Sequence, residues 1–122
     1  MSRDPLLYLE DIIEACDKIL LYTKDTSFDD LESESMLFDA VVRNIEIIGE
    51  AAKNVPDSIR QEVQEVPWKE IAAMRDILAH AYFGVDPEIV WDVVKTKVEP
   101  LNKTGSSLFC MGNKIESLLE NE

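Results

Sequence analysis

At 122 residues the chain suffices for one domain with a real hydrophobic core and leaves little room for a second. Its 46% hydrophobic and 30% charged residues are a globular composition, which excludes a largely disordered protein. A formal net charge of −13 argues against a general nucleic-acid coat, because phosphate binding draws on clustered Lys and Arg.

Asp4-Pro5 opens the first predicted helix, with Asp as cap and Pro at the first helical position. Leu6, Leu9, Ile12, Ile13, Cys16, Ile19 and Leu20 then recur at spacings of three and four, while Glu10, Asp11, Glu14 and Asp17 fill the other face. Thr23 to Ser33 is polar and reads as a loop or short turn. A second helical pattern runs from about Glu34 to Val55, through Leu37, Ala40, Val41, Ile45, Ile48, Ala51 and Ala52. Gly49 lies inside it, where glycine costs about 1 kcal/mol relative to alanine. A close helix crossing is one structural reason to keep it. Pro56-Asp57-Ser58 breaks the pattern, and Ser58 with Gln61 fits a capping box for a short helix to about Glu65.

After Pro67, the residues Trp68, Ile71, Ala72, Ile77 and Leu78 mark a helix through about His80 or Tyr82, which Gly84 stops. Asp86-Pro87-Glu88 repeats the cap-then-proline start, and Ile89, Val90, Val93, Val94 and Val98 follow at helical spacing. The valines make a strand the competing reading; the cap and the interleaved Asp92, Lys95 and Lys97 favour helix. Pro100 is expected to end it, with a last helix from Phe109 to Leu119. Nothing else reads as strand, and only four glycines and five prolines argue against a many-turned β protein. The expectation is an all-α, antiparallel bundle of four to five helices, a single domain over residues 1–122. No apolar run approaches the ~20 residues of a membrane span. The first residues lead straight into an amphipathic segment without a signal layout, so a cytoplasmic protein is expected. Cys16 and Cys110 are far apart and make neither a metal motif nor a disulfide framework.

The charge is unevenly spread. Residues 1–40 carry a net −8, residues 41–80 a net −2 and residues 81–122 a net −3. An anionic ligand is expected to meet the near-neutral middle third and avoid the first. Within that third lies the only histidine, His80. One histidine excludes both a single-chain His pair for acid/base work and a metal site with two His ligands from one chain. A site built on His80 combines it with other residue types, within one chain or across a dimer. Asp76 and His80 are four apart on one helix face, so a hydrogen bond between them would fix the imidazole tautomer. Arg75 lies about 140° around the helix from His80, within reach of a shared groove edge. Two such helices in a symmetric dimer would gather two guanidinium groups and two imidazoles into a plausible phosphodiester site. Equally, a lone His near a helix C-terminus often serves only the helix dipole, and Arg-Asp often lies on a solvated face.

Arg75-x4-His80, with a polar residue after the Arg and Ala81-Tyr82 beyond, resembles the R-x4-6-H motif of HEPN domains. The extended R-x4-H-x-Y form resembles the HepT-like toxins of HepT–MNT toxin–antitoxin pairs. Arg43 to Ala51, Pro67-Trp68, Val85-Asp86 and Trp91 are also similar to that family, and together the likeness covers about residues 5–101. It implies a homodimeric HEPN-type bundle and a metal-independent endoribonuclease without a cofactor. Arg75 would stabilise the phosphate of the RNA substrate, and His80 would act as general acid or base. Asp76, at the motif's polar position, would orient one of them; many members carry Asn there, so Asp adds negative charge beside the phosphate. Tyr82 matches the tyrosine to which a minimal nucleotidyltransferase antitoxin transfers AMP, an anionic block beside the cleft. By packing alone, Tyr82 is a helix-end aromatic with its hydroxyl in water.

Arg43, Glu46 and Glu50 share one helix face, either as an Arg43–Glu46 ion pair or as support for the motif. Trp68 and Trp91 read as core or interface anchors. Residues 102–122 match nothing familiar. Two other readings stand beside the nuclease: a non-catalytic HEPN module that binds nucleotide or a nucleotidyltransferase, and an acidic helical adaptor in which the motif is structural.

Overall fold

The structure, a computed structural model, describes residues 4–79 and 84–103. Every element among them is helical, as the all-α expectation requires. The first, α1 (Pro5–Thr23), starts where the sequence indicates: Leu6 N donates to Asp4 Oδ1 at 3.0 Å. Leu9, Ile12, Cys16 and Ile19 form its buried stripe. Burial, helped by the neighbouring Asp17 charge, pushes the Cys16 thiol up to about 12, so this cysteine is a core residue and no nucleophile.

The next segment departs from the expected loop. Ser27 and Asp30 form a reciprocal capping box, with Asp30 N donating to Ser27 Oγ at 3.2 Å and Ser27 N to Asp30 Oδ2 at 3.0 Å. They start a short helix, α2 (Phe28–Ser33). It buries one apolar residue, Leu31, so it has no periodicity to betray it.

The central element is α3 (Ser35–Asn54), which packs against α1 and against α5 (Trp68–Ala79). Val41, Ile45 and Ile48 on α3 are fully buried, together with Ile71 and Met74 on α5. The buried Asn44 is satisfied within its own helix, its Nδ2 donating to Ala40 O at 2.8 Å. Between α3 and α5, α4 (Asp57–Glu62) begins one residue before the expected Ser58 cap and has no side-chain cap. Its anchor is Arg60. The guanidinium donates to the carbonyls of Val55 at 3.0 Å, Ala52 at 2.6 Å and Lys53 at 3.3 Å, adding donors at the end of α3, where Ala52 O also accepts from Val55 N. Arg60→Ala is expected to cost about 1.5–3 kcal/mol, the worth of hydrogen bonds to a charged group. Lysine, a point charge without the planar fork, should recover only part of it. Urea unfolding of the two variants measures the difference.

Pro67 leads into α5, and Trp68 is a core residue whose Nε1 donates to Val63 O at 2.9 Å. Beyond the undescribed residues, Gly84 has φ of 107°, a conformation that suits glycine. Asp86 then caps α6 (Pro87–Val93) by accepting from Glu88 N at 2.9 Å. The valine-rich stretch is therefore helix, not strand.

Pro100 does not end this helix. A π-helical turn at Val94–Val98 follows α6 and runs directly into α7 (Glu99–Lys103). Proline has no N–H to give Thr96, and in a regular α-helix its ring would press on that carbonyl. The wider turn, in which Glu99 N donates to Val94 O, accommodates the ring, and Leu101 beyond it stays buried. Trp91 on α6 meets Phe28 of α2 edge-on, with ring centroids 6.2 Å apart, and Lys95 Nζ lies 4.7 Å from its ring centre. Both tryptophans are thus packing residues in this chain. Among the described residues, no helix is long and apolar enough to cross a membrane. The expected helix over Phe109–Leu119 lies outside the described residues.

Candidate active site

On α3, Arg43, Glu46 and Glu50 recur at spacings of three and four, so their side chains stand in one row over two turns. Opposite the last of them comes Arg75 from α5. What lets Arg75 come so close is Gly49. A Cβ at position 49 would lie 2.8 Å from Arg75 Cβ and 2.9 Å from Arg75 N. The two helices touch there backbone to backbone, and the crossing expected at Gly49 is found opposite Arg75, the first residue of the R-x4-H pattern.

Arg75 Nη1 sits 2.9 Å from Glu50 Oε2, and both side chains are about half exposed. One turn and more away, Arg43 Nη1 lies 3.5 Å from Glu46 Oε2, the intrahelical pair anticipated from the spacing. These four side chains line an open groove of about 490 Å³. Tyr8 and Asp11 of α1 form part of the same lining, with Ile47 and Ala51 adding apolar surface.

The electrostatics follow from this inventory. Two guanidinium groups face three carboxylates, Asp11, Glu46 and Glu50. Most of the charged lining comes from the near-neutral middle third. The first third does not stay away, however: Asp11 is in the lining, because the polar face of α1 borders the groove that its apolar face helps to form. A groove of this kind can bind an anion through fixed guanidinium forks, and it does so against a carboxylate background.

Asp76 is exposed on α5 and is not part of the groove lining. His80 and Tyr82 lie outside the described residues, and so do the expected Asp76–His80 hydrogen bond and the Arg75–His80 geometry. Sequence reasoning missed the α1 wall and the Glu50–Arg75 pair. A signal for the pair existed in Gly49-Glu50, a small residue that admits another helix beside a charge able to meet it.

The family described as ribonuclease HepT-like matches residues 12–107. A Caldanaerobacter subterraneus protein, provisionally named as a ribonuclease, is 44% identical over 83% of this chain and 90% of its own length. A Thermococcus cleftensis protein named as a probable ribonuclease HepT is 45% identical over 83% of this chain and 92% of its own. A Methanocaldococcus jannaschii protein named as a gamma-glutamylcyclotransferase and, provisionally, a ribonuclease is 48% identical over 84% of this chain. The present chain spans about half of that protein, 46% of its length. No solved structure matches the chain.

Proposed function

The chain belongs to the ribonuclease HepT-like family, and on that premise we propose that it is a metal-independent endoribonuclease that cuts RNA at Arg75 and His80. The observation that supports this best is the anchored Arg75. Its backbone is seated on Gly49, and its half-exposed guanidinium opens on a groove rather than on the bundle surface. A fork held in this way can take a phosphate in two parallel hydrogen bonds and strengthen them as charge builds on the phosphoryl oxygens. His80, five residues on, is the one imidazole in the chain able to move a proton near neutral pH. It takes the proton of the ribose 2′-hydroxyl, whose oxygen attacks phosphorus, or returns one to the departing 5′-oxygen. Asp76 is the residue that orients His80.

The wider proposal is a toxin that works as a homodimer, with two motifs at one cleft. A nucleotidyltransferase partner silences it by transferring AMP to Tyr82, which brings bulk and negative charge beside the phosphate site. A second reading is a non-catalytic module that binds nucleotide or the nucleotidyltransferase; the groove's carboxylates outnumber its guanidinium groups, which favours the protein partner of this reading and not the nucleotide.

The deciding experiment incubates single-stranded RNA and tRNA in chelator with wild type and His80→Ala. The protein is made in cells without a nucleotidyltransferase partner, and its intact mass verifies an unmodified Tyr82. Cleavage by wild type, reduced about 10²- to 10⁴-fold in His80→Ala, is the expected result. No cleavage of several RNAs by unmodified wild type would leave the binding module. Complete suppression by chelator would overturn the metal-independent mechanism.

A further inference from the structure

We propose that Glu50 and Glu46 act as placeholders for RNA phosphates, holding Arg75 and Arg43 ready until the strand displaces them. The proposal rests on the ribonuclease reading and deepens it by adding Arg43 as a second phosphate contact and the two glutamates as a threshold for entry.

Three observations carry it. First, both arginines of the groove are paired, each with its own glutamate on α3, at 2.9 Å for Arg75–Glu50 and 3.5 Å for Arg43–Glu46. At 2.9 Å the Glu50 oxygen occupies the place that a phosphate oxygen takes on a guanidinium fork, while Glu46 at 3.5 Å is a looser ion-pair partner of Arg43. Second, both pairs are open to water: Arg75 and Glu50 are 44% and 53% exposed, Arg43 and Glu46 71% and 43%. Exposed pairs are weak, so a phosphate with more oxygens to offer can replace the carboxylate at small cost. Third, the two pairs repeat along the same face of α3. Glu46 and Glu50 are one turn apart, and Arg43 and Glu50 two, on the order of 10 Å. The row therefore offers an extended anion two cationic stations rather than one.

The expected consequence is binding by exchange. An incoming strand must evict a carboxylate at each station, and Asp11 on the facing wall adds to the toll. A ligand with a single phosphate frees one arginine only. A single-stranded RNA that reaches both stations frees both.

Binding of a fluorescent single-stranded RNA is measured by anisotropy at fixed salt in the His80→Ala background, which stops turnover. Glu50→Gln and Glu46→Gln should each tighten Kd by about two- to five-fold, the worth of one exposed pair, and the two effects should multiply. The Glu46→Gln gain should vanish when Arg43→Ala is present. Glu14→Gln, which removes an exposed carboxylate paired with Lys18 outside the groove, should leave Kd unchanged. In the active protein, Glu50→Gln should lower KM and kcat together, since Arg75 loses the partner that aims it; Glu50→Asp, which keeps the charge, should stay nearer wild type. Equal tightening by Glu14→Gln would reduce the effect to net charge and overturn the proposal. So would cleavage by wild type with Kd unmoved in both groove variants, and this outcome leaves the nuclease intact. Failure of wild type either to bind or to cleave RNA removes the nuclease and the placeholder together.

Discussion

Arg75→Ala is expected to lower RNA cleavage by about 10²- to 10³-fold, the cost of removing one preorganised donor to a transition-state oxyanion, while the fold survives. The two halves of that statement have separate causes. Its guanidinium is about half exposed, and its ion pair with Glu50 is of the weak surface kind. Losing that pair costs at most about 1 kcal/mol. The backbone contact with Gly49 involves Arg75 N and Cβ, which alanine keeps. Stability therefore moves little. Activity is expected to move far, because the proposed reaction concentrates charge on the phosphate that this fork would meet. Arg75→Lys should recover only a fraction, since a point charge cannot reproduce two parallel hydrogen bonds. Single-turnover cleavage, alongside urea unfolding of the same preparations, separates the two effects. A loss of activity matched by a loss of fold would make Arg75 a structural residue.

Gly49→Ala should damage both. The added Cβ would come within 2.8 Å of Arg75 Cβ and 2.9 Å of Arg75 N, and neither is the flexible end of a side chain. One helix has to move. Overpacking of this kind costs about 1–3 kcal/mol, and, under the proposed mechanism, a shift of about 1 Å at Arg75 is enough for a further 10²-fold in rate. Valine, with two more carbons in the same place, should prevent the crossing altogether. The informative comparison is Gly49→Ala against Arg60→Ala. Both lose stability, but only the change at position 49 displaces Arg75, so only it should lose rate in excess of its loss of folded protein. Equal rates per folded molecule in the two variants would disconnect the crossing from the chemistry.

Where a structural signal was local, it was legible in the residues. Asp4-Pro5 and Asp86-Pro87 start helices because an acceptor and a fixed φ sit next to each other in the chain. The long apolar stripes of α1 and α3 repeat often enough to fix which face is buried. Arg75 stood out because its motif spans only a few residues. Features that depend on distant partners were not readable. Arg60 bonds to backbone carbonyls, which every residue possesses, so no side-chain pattern announces it. Glu50 and Arg75 are 25 positions apart, and only the packing of α5 on α3 brings them together. The helix beyond Pro100 turns on a change of helix type within five residues, to which a periodicity of 3.6 is blind. Asp11 reads as part of the polar face of α1, and its place in the groove is not legible there, because an amphipathic helix shows which side is wet but not what the wet side borders.

Helices ordinarily begin to fray at their last turn, where carbonyls lack partners. In α3 that turn is locked by Arg60, a residue of the next helix, through three carbonyl contacts. Loosening the end of α3 therefore requires breaking these contacts with α4, and the two are expected to open together. Ala51 and Glu50, which line the groove, sit immediately before those carbonyls. The groove is therefore bordered by a segment whose backbone amides open with a neighbouring helix as one cooperative unit. Breathing in that corner is governed by a residue that never faces the groove.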